Sequence, residues 1–121
     1  MGATVMIVDD ALFMRNILSG LLKDKGYNVV AEAASGIEAI KNLYDRKPDI
    51  IILDIILPDA SGLDLLESII SSNPKVKVVI CSAIGQEPVI QKALDLGARA
   101  FIQKPFTPEK VIKVLASVQC G

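Results

Sequence analysis

No histidine occurs anywhere in the 121 residues. That single absence removes Ser-His-Asp and Cys-His catalysis, histidine zinc sites and histidine pH switching together. The two cysteines, Cys81 and Cys120, form no CxxC pair. Nothing in their spacing supports a disulfide between a strand end and a C-terminal tail, so a reducing cytoplasm is the expected setting. No apolar run approaches the roughly 20 residues that cross a bilayer. The N-terminus lacks the parts of a signal peptide. Met1-Gly2 begins as a myristoylation site does, but Met6 stands where Ser or Thr is required. Charge of either sign is not in excess: 13 basic and 14 acidic side chains give a formal net charge of −1. A nucleic-acid surface needs a basic patch, so neither nucleic acid nor membrane is an expected partner. Nucleotide-capture motifs are missing too, with neither GxxxxGK[ST] nor a GxGxxG after the first apolar run. Any chemistry must therefore run on carboxylates, hydroxyls, amines and a recruited metal.

What is present is a soluble core in one unit, residues 1–121, with 51% hydrophobic and 22% charged residues. Apolar runs alternate with amphipathic stretches from end to end. Val5–Val8 reads as a buried strand, followed by a helix over Leu12 to Lys25 with Gly26 as its cap. Val29-Val30-Ala31 begins a second strand. Ser35-Gly36-Ile37-Glu38 matches a capping box opening a second helix, whose apolar face is expected at Ile37, Ile40, Leu43 and Tyr44, with Pro48 closing it. Ile50–Leu53 is the most apolar tetrad and is expected to be a central strand covered on both faces. Asp54 to Gly62 reads as a loop, Leu63 to Ser72 as a third helix, and Val76–Ile80 as a fourth strand carried on by Cys81-Ser82. Gln86 to Leu96 gives the fourth helix, Ala100–Ile102 the fifth strand, and Thr107-Pro108 caps a last helix running to about Val118.

Five repeats of strand then helix predict an α/β fold of the flavodoxin-like (βα)5 kind, with a five-stranded parallel sheet, helices on both faces and right-handed crossovers. In such sheets ligands bind beyond the carboxyl ends of the strands. Asp9-Asp10, Asp54, Ser82 and Lys104 all fall there, from four separate strands. Three carboxylates in one pocket repel, each pair by on the order of 4 kcal/mol at about 4 Å and an effective dielectric near 20. Lys104 offsets part of this, and a hard divalent cation would relieve the rest. Mg²⁺ suits a site with few carboxylates that keeps waters and binds phosphate oxygens. With no nucleotide motif, a phosphoryl group would come from elsewhere, and a carboxylate can receive it as an acyl phosphate. Asp54 ends the central strand, where Lys104 and Ser82 could flank the transferred oxygens.

Val8-Asp9-Asp10, Leu53-Asp54-Ile55-Ile56-Leu57-Pro58 with Gly62, Ser82-Ala83 and Lys104-Pro105-Phe106 resemble the receiver domains of two-component response regulators. The likeness covers essentially the whole chain, and these motifs at these spacings are specific together. The segments Ala11–Arg15 and Cys81–Gln86, with the short length, look most like the stand-alone CheY type. The resemblance implies Asp54 as phosphoryl acceptor, supplied by a phosphohistidine on a sensor kinase. It implies Asp10, Asp54 and the Ile56 backbone carbonyl as direct Mg²⁺ ligands, Asp9 acting through a metal-bound water, Ser82 and Lys104 on the phosphoryl group, Phe101 as the aromatic switch and a cis Lys104–Pro105 bond. It also implies output through the face of the fourth helix, fifth strand and fifth helix, with a motor-switch component or another target protein as partner and a phosphatase as a further one. A monomer in the cytoplasm, serving chemotaxis, is the expected form. A relay or sporulation role, passing phosphate to another protein, is the alternative.

Several positions depart from the family. Phe101 stands where chemotaxis regulators often carry Tyr, so no hydroxyl reaches a partner. Ser82 replaces the commoner Thr. Asp59-Ala60-Ser61 replaces a Met-bearing loop, so the resemblance does not fix how that loop packs. Ile56 and Ile84 flank the acceptor, and neither can orient an attacking water. An aspartyl-phosphate phosphatase of the haloacid-dehalogenase type wants a second acid two residues after its nucleophile; that place holds Ile56. A flavodoxin-like redox module would share the topology, but the chain has no Trp and little Gly-rich phosphate-loop character.

Overall fold

The computed structural model describes residues 2–120, the side chain of Cys120 excepted. Strands and helices alternate throughout: β1 (Thr4–Val8), α1 (Leu12–Asp24), β2 (Asn28–Ala33), α2 (Gly36–Arg46), β3 (Ile50–Leu53), α3 (Gly62–Ser72), β4 (Lys77–Ser82), α4 (Glu87–Asp95), β5 (Ala100–Gln103) and α5 (Pro108–Cys120). The sheet is parallel with order β2-β1-β3-β4-β5. This is the expected (βα)5 architecture.

The apolar tetrads make both faces of the sheet because strand side chains alternate. In β3, Ile51 and Leu53 enter one core while Ile50 and Ile52 enter the other. β1 divides likewise, Met6 and Val8 against Val5 and Ile7, and so does β4, Val78 and Ile80 against Val79 and Cys81. The first core is closed by Ala39 and Leu43 of α2, Leu65, Leu66 and Ile69 of α3 and Ala93 of α4. The second is closed by Leu18 and Leu22 of α1 and Val111, Leu115 and Val118 of α5. Each fully buried Leu or Ile contributes about 2 kcal/mol from the apolar surface it removes from water.

Local signals set the ends. Ser35 Oγ accepts from Glu38 N (3.2 Å), the capping contact expected; the Glu38 carboxylate reaches back to Ala34 N (3.1 Å), one residue earlier than the box requires. Lys47 ends α2 in the left-handed region (φ 46°), since Pro48 disfavours the right-handed helix for the residue before it. Thr107 Oγ1 caps α5 by accepting from Lys110 N (3.2 Å). α5 runs to Cys120, two residues beyond expectation, so Cys120 is a helix-end residue rather than a tail; its side chain lies outside the described residues.

One expectation fails. The apolar face of α2 is not Ile37, Ile40 and Tyr44, which are 75%, 45% and 82% exposed. The buried stripe is Gly36, Ala39 and Leu43. Both stripes have helical spacing; the small residues win because they let the helix backbone approach the sheet closely.

The chain passes from β1 outward to β2 and then back across to β3. That reversal leaves a crevice between the carboxyl ends of β1 and β3.

Candidate functional site

Asp9 and Asp54 sit at that crevice, held by the sheet itself. Asp9 N donates to Ala33 O (3.0 Å) and Asp54 N to Val8 O (2.9 Å), so the ladders continue one residue past β1 and β3. Both acids are buried, at 3% and 7% exposure, whereas Asp10 is exposed. Asp9 Oδ1 accepts from Ala11 N (2.9 Å), capping α1 where the Ala11 side chain cannot. Asp54 Oδ1 accepts from Ile56 N (3.1 Å).

Lys104 arrives from the end of β5, its backbone N donating to Ser82 O (2.9 Å), and the bond to Pro105 is cis. Its ammonium donates to Asp9 Oδ2 (2.6 Å) and Asp54 Oδ2 (2.8 Å). Burial works against the charge on Lys104, but the hydrogen bonds to Asp54 and Asp9 outweigh it and raise the pKa above that of an ordinary lysine. One cation thus bridges two carboxylates. Among the described residues Asp10 has no ion pair.

Carboxylate oxygens of Asp9, Asp10 and Asp54 lie within 4.8 Å of one another. The donor set is all oxygen, carries three charges, and has one cation against it. Those features fit a hard divalent ion such as Mg²⁺. The other expected site residues lie as follows. Ser82 closes β4, fully buried, and its Oγ accepts from Ile84 N at a long 3.4 Å. Ile56 lies in the loop after Asp54 with its side chain 54% exposed. Phe101 on β5 is half-buried against the core under α2, α3 and α4. Cys81 fills a buried niche, and burial pushes its thiol up to about 12, with the Asp54 and Asp9 charges adding and Lys104 opposing. It stays protonated at neutral pH, consistent with a structural role.

Gly62 lets α3 begin against the acceptor strand. A Cβ there would stand 2.3 Å from Ile55 Cα and 2.6 Å from Asp54 O, both backbone atoms that cannot yield. Sequence reasoning missed Arg15, whose Nη1 donates to Asp9 O (2.6 Å) while Nε pairs with Glu32 (3.2 Å). Its position early in α1, beside an acidic strand end, was the available signal. A cavity of about 910 Å³ opens at the opposite edge of the sheet, lined by Lys47, Asp49, Asn73, Lys75 and neighbours, and shares no residue with the acidic cluster.

Comparison with known proteins agrees with this geometry. Residues 5–116 match the family model for the response regulator receiver domain. The chain is 42% identical over 118 residues to the chemotaxis protein CheY of Thermotoga maritima, covering 98% of each. It is 44% identical over 111 residues to CheY of Listeria monocytogenes, covering 92% of this chain and 93% of that one. Among solved structures it superposes with a TM-score of 0.94 and 33% identity on a chain of the CheX–CheY complex with BeF3 and Mg from Borrelia burgdorferi, covering 97% of this chain and 89% of that one.

Proposed function

The chain belongs to the response regulator receiver domains, and from that premise we propose that Asp54 is its phosphoryl acceptor and that the CheY likeness extends to a role in chemotaxis. A receiver domain of this type is a signalling switch. The observation that carries the proposal is the Lys104 ammonium, 2.6 and 2.8 Å from two buried carboxylates at the crevice.

A carboxylate oxygen of Asp54 attacks phosphorus of a phosphohistidine on the donor kinase. The O–P bond forms, the P–N bond breaks, and the imidazole leaves with a proton from solvent. Burial strengthens the attraction between Lys104 and the transferred oxygens. Lys104 then exchanges its contact with the Asp54 carboxylate for one with the phosphoryl group. Ser82 Oγ turns from Ile84 N to donate to the same group. Asp10, Asp54 and the Ile56 carbonyl would hold Mg²⁺, with Asp9 acting through water, and the ion would neutralise charge on the phosphoryl oxygens. Movement of Ser82 and Phe101 then alters the α4-β5-α5 face, where a target such as a motor-switch component docks. A phosphatase is a further partner. The setting is cytoplasmic and the working form a monomer of one domain; among the described residues no helix is long and apolar enough to cross a membrane.

The test is incubation with acetyl phosphate and Mg²⁺, read by intact mass. A gain of one phosphoryl group is expected, and no gain would count against the proposal.

The phosphoryl group is also expected to leave slowly. Ile56 and Ile84 are the side chains two residues beyond Asp54 and Ser82, and neither can position water. Once acetyl phosphate is removed, the mass label is expected to persist for minutes; loss within seconds at room temperature would be contrary.

A further inference from the structure

The loop after Asp54 carries the Ile56 backbone, and something must hold that backbone still. At its base the loop is closed by Gly62 N donating to Ile55 O (2.7 Å) and by an antiparallel bridge between Ile56 and Ser61. Ile55 and Leu57, on either side of Ile56, are buried in the core, whereas the tip from Pro58 to Ser61 is exposed and meets α2 through Asp59. Asp59 Oδ1 accepts from Gly36 N (2.7 Å) and Oδ2 from Ile37 N (3.0 Å), across 23 and 22 residues. A carboxylate from one loop thereby takes two of the unpaired N–H groups that open a helix elsewhere. The negative charge faces the positive end of the α2 dipole. The bond from Gly36 N, followed by that from Ile37 N, holds the Asp59 carboxyl below its ordinary pKa.

This is more than helix capping, because α2 already has a cap of its own in Ser35, which accepts from Glu38 N. The approach also depends on Gly36: a Cβ there would stand 3.2 Å from Ala60 Cβ and 3.3 Å from Asp59 Oδ1. Two elements are thus shaped to meet at this point, and one of them holds the Ile56 backbone three residues away.

We infer that Asp59 is a positioning residue for the metal: by clamping the loop to the first turn of α2 it fixes the Ile56 backbone where its carbonyl can help to hold Mg²⁺. The inference rests on the Mg²⁺ assignment of the proposed function. Once the clamp is released, the loop tip gains freedom that ion binding must remove, so affinity falls while the carboxylates stay in place.

Mg²⁺ titration followed by NMR shifts of the site's amides tests this, with folding of each variant checked by circular dichroism. Asp59→Ala is expected to bind Mg²⁺ about tenfold more weakly, at the low end of what loss of a ligand-orienting partner costs. Asp59→Asn, which keeps an acceptor oxygen for Gly36 N, is expected to recover most of the affinity. Ser35→Ala weakens the cap of α2 without touching the loop and is expected to leave Mg²⁺ affinity unchanged. Wild-type affinity in Asp59→Ala, or an equal loss in Ser35→Ala, would overturn the inference. Absence of Mg²⁺ binding in the wild type would overturn the proposed function as well, so the two failures are distinguishable.

Discussion

Asp54→Asn is expected to take up no phosphoryl group from acetyl phosphate and Mg²⁺ under conditions that label the wild-type chain completely. The substitution is nearly isosteric and keeps an oxygen to accept from Ile56 N, so the loop geometry survives. What it removes is the proposed nucleophile and one of three negative charges gathered within 4.8 Å. Asp10 is exposed and lacks the lysine partner. Intact mass of the two proteins side by side decides the matter, and equal labelling would remove Asp54 from the chemistry.

Lys104→Met carries the second large effect, in two readouts. Labelling by acetyl phosphate is expected to slow by about a hundredfold, the scale for losing one preorganised charge donor at a reacting oxyanion. Stability is affected too, because two carboxylates at 3% and 7% exposure lose the one cation that pairs with them among the described residues. Removing one partner of a buried pair costs about 3–5 kcal/mol. The lysine side chain itself is 15% exposed, so screening brings the expected loss to about 2 kcal/mol near neutral pH. Urea denaturation measures it. The pH dependence has a definite sign. The folded-state pKa of Lys104 is raised above the ordinary 10.5, so its contribution is complete below that value and is lost as pH rises through the folded one. The stability gap between wild type and Lys104→Met is therefore expected to hold steady from neutral pH to about pH 10 and to narrow only above it. A gap that closed between pH 7 and 9 would contradict the lysine bridge.

The fold could be read in the sequence wherever one pattern had one meaning. Ile50–Leu53 and Val78–Cys81 are short, rich in β-branched residues and apolar at every position, as a strand covered on both faces requires. Carboxylates, a hydroxyl and an amine at four strand ends then marked the candidate site, because parallel strands deliver their carboxyl ends to one edge. α2 was misjudged because it carries two helical stripes, and the more hydrophobic one faces solvent. Which stripe packs depends on how close the backbone can come to the sheet, a tertiary quantity that periodicity does not contain. Arg15 and Asp59 were missed for a related reason. Each acts through a backbone group, Asp9 O in one case and Gly36 N and Ile37 N in the other, and backbone partners leave no mark in the amino-acid pattern. The departure at Asp59-Ala60-Ser61 sets this loop apart in the sequence but does not indicate that α2 is its anchor.

The central claim is that Asp54, Asp10 and Lys104, far apart along the chain, act together on one transferred group. A crystal of this protein grown with Mg²⁺ and beryllofluoride tests it most directly. The account predicts beryllofluoride bonded through beryllium to an Asp54 carboxylate oxygen, the ion beside Asp10 and the Ile56 carbonyl, and the Lys104 ammonium moved from the carboxylate onto fluorine. A crevice holding neither group at saturating concentrations, with Lys104 still bridging Asp9 and Asp54, would contradict it.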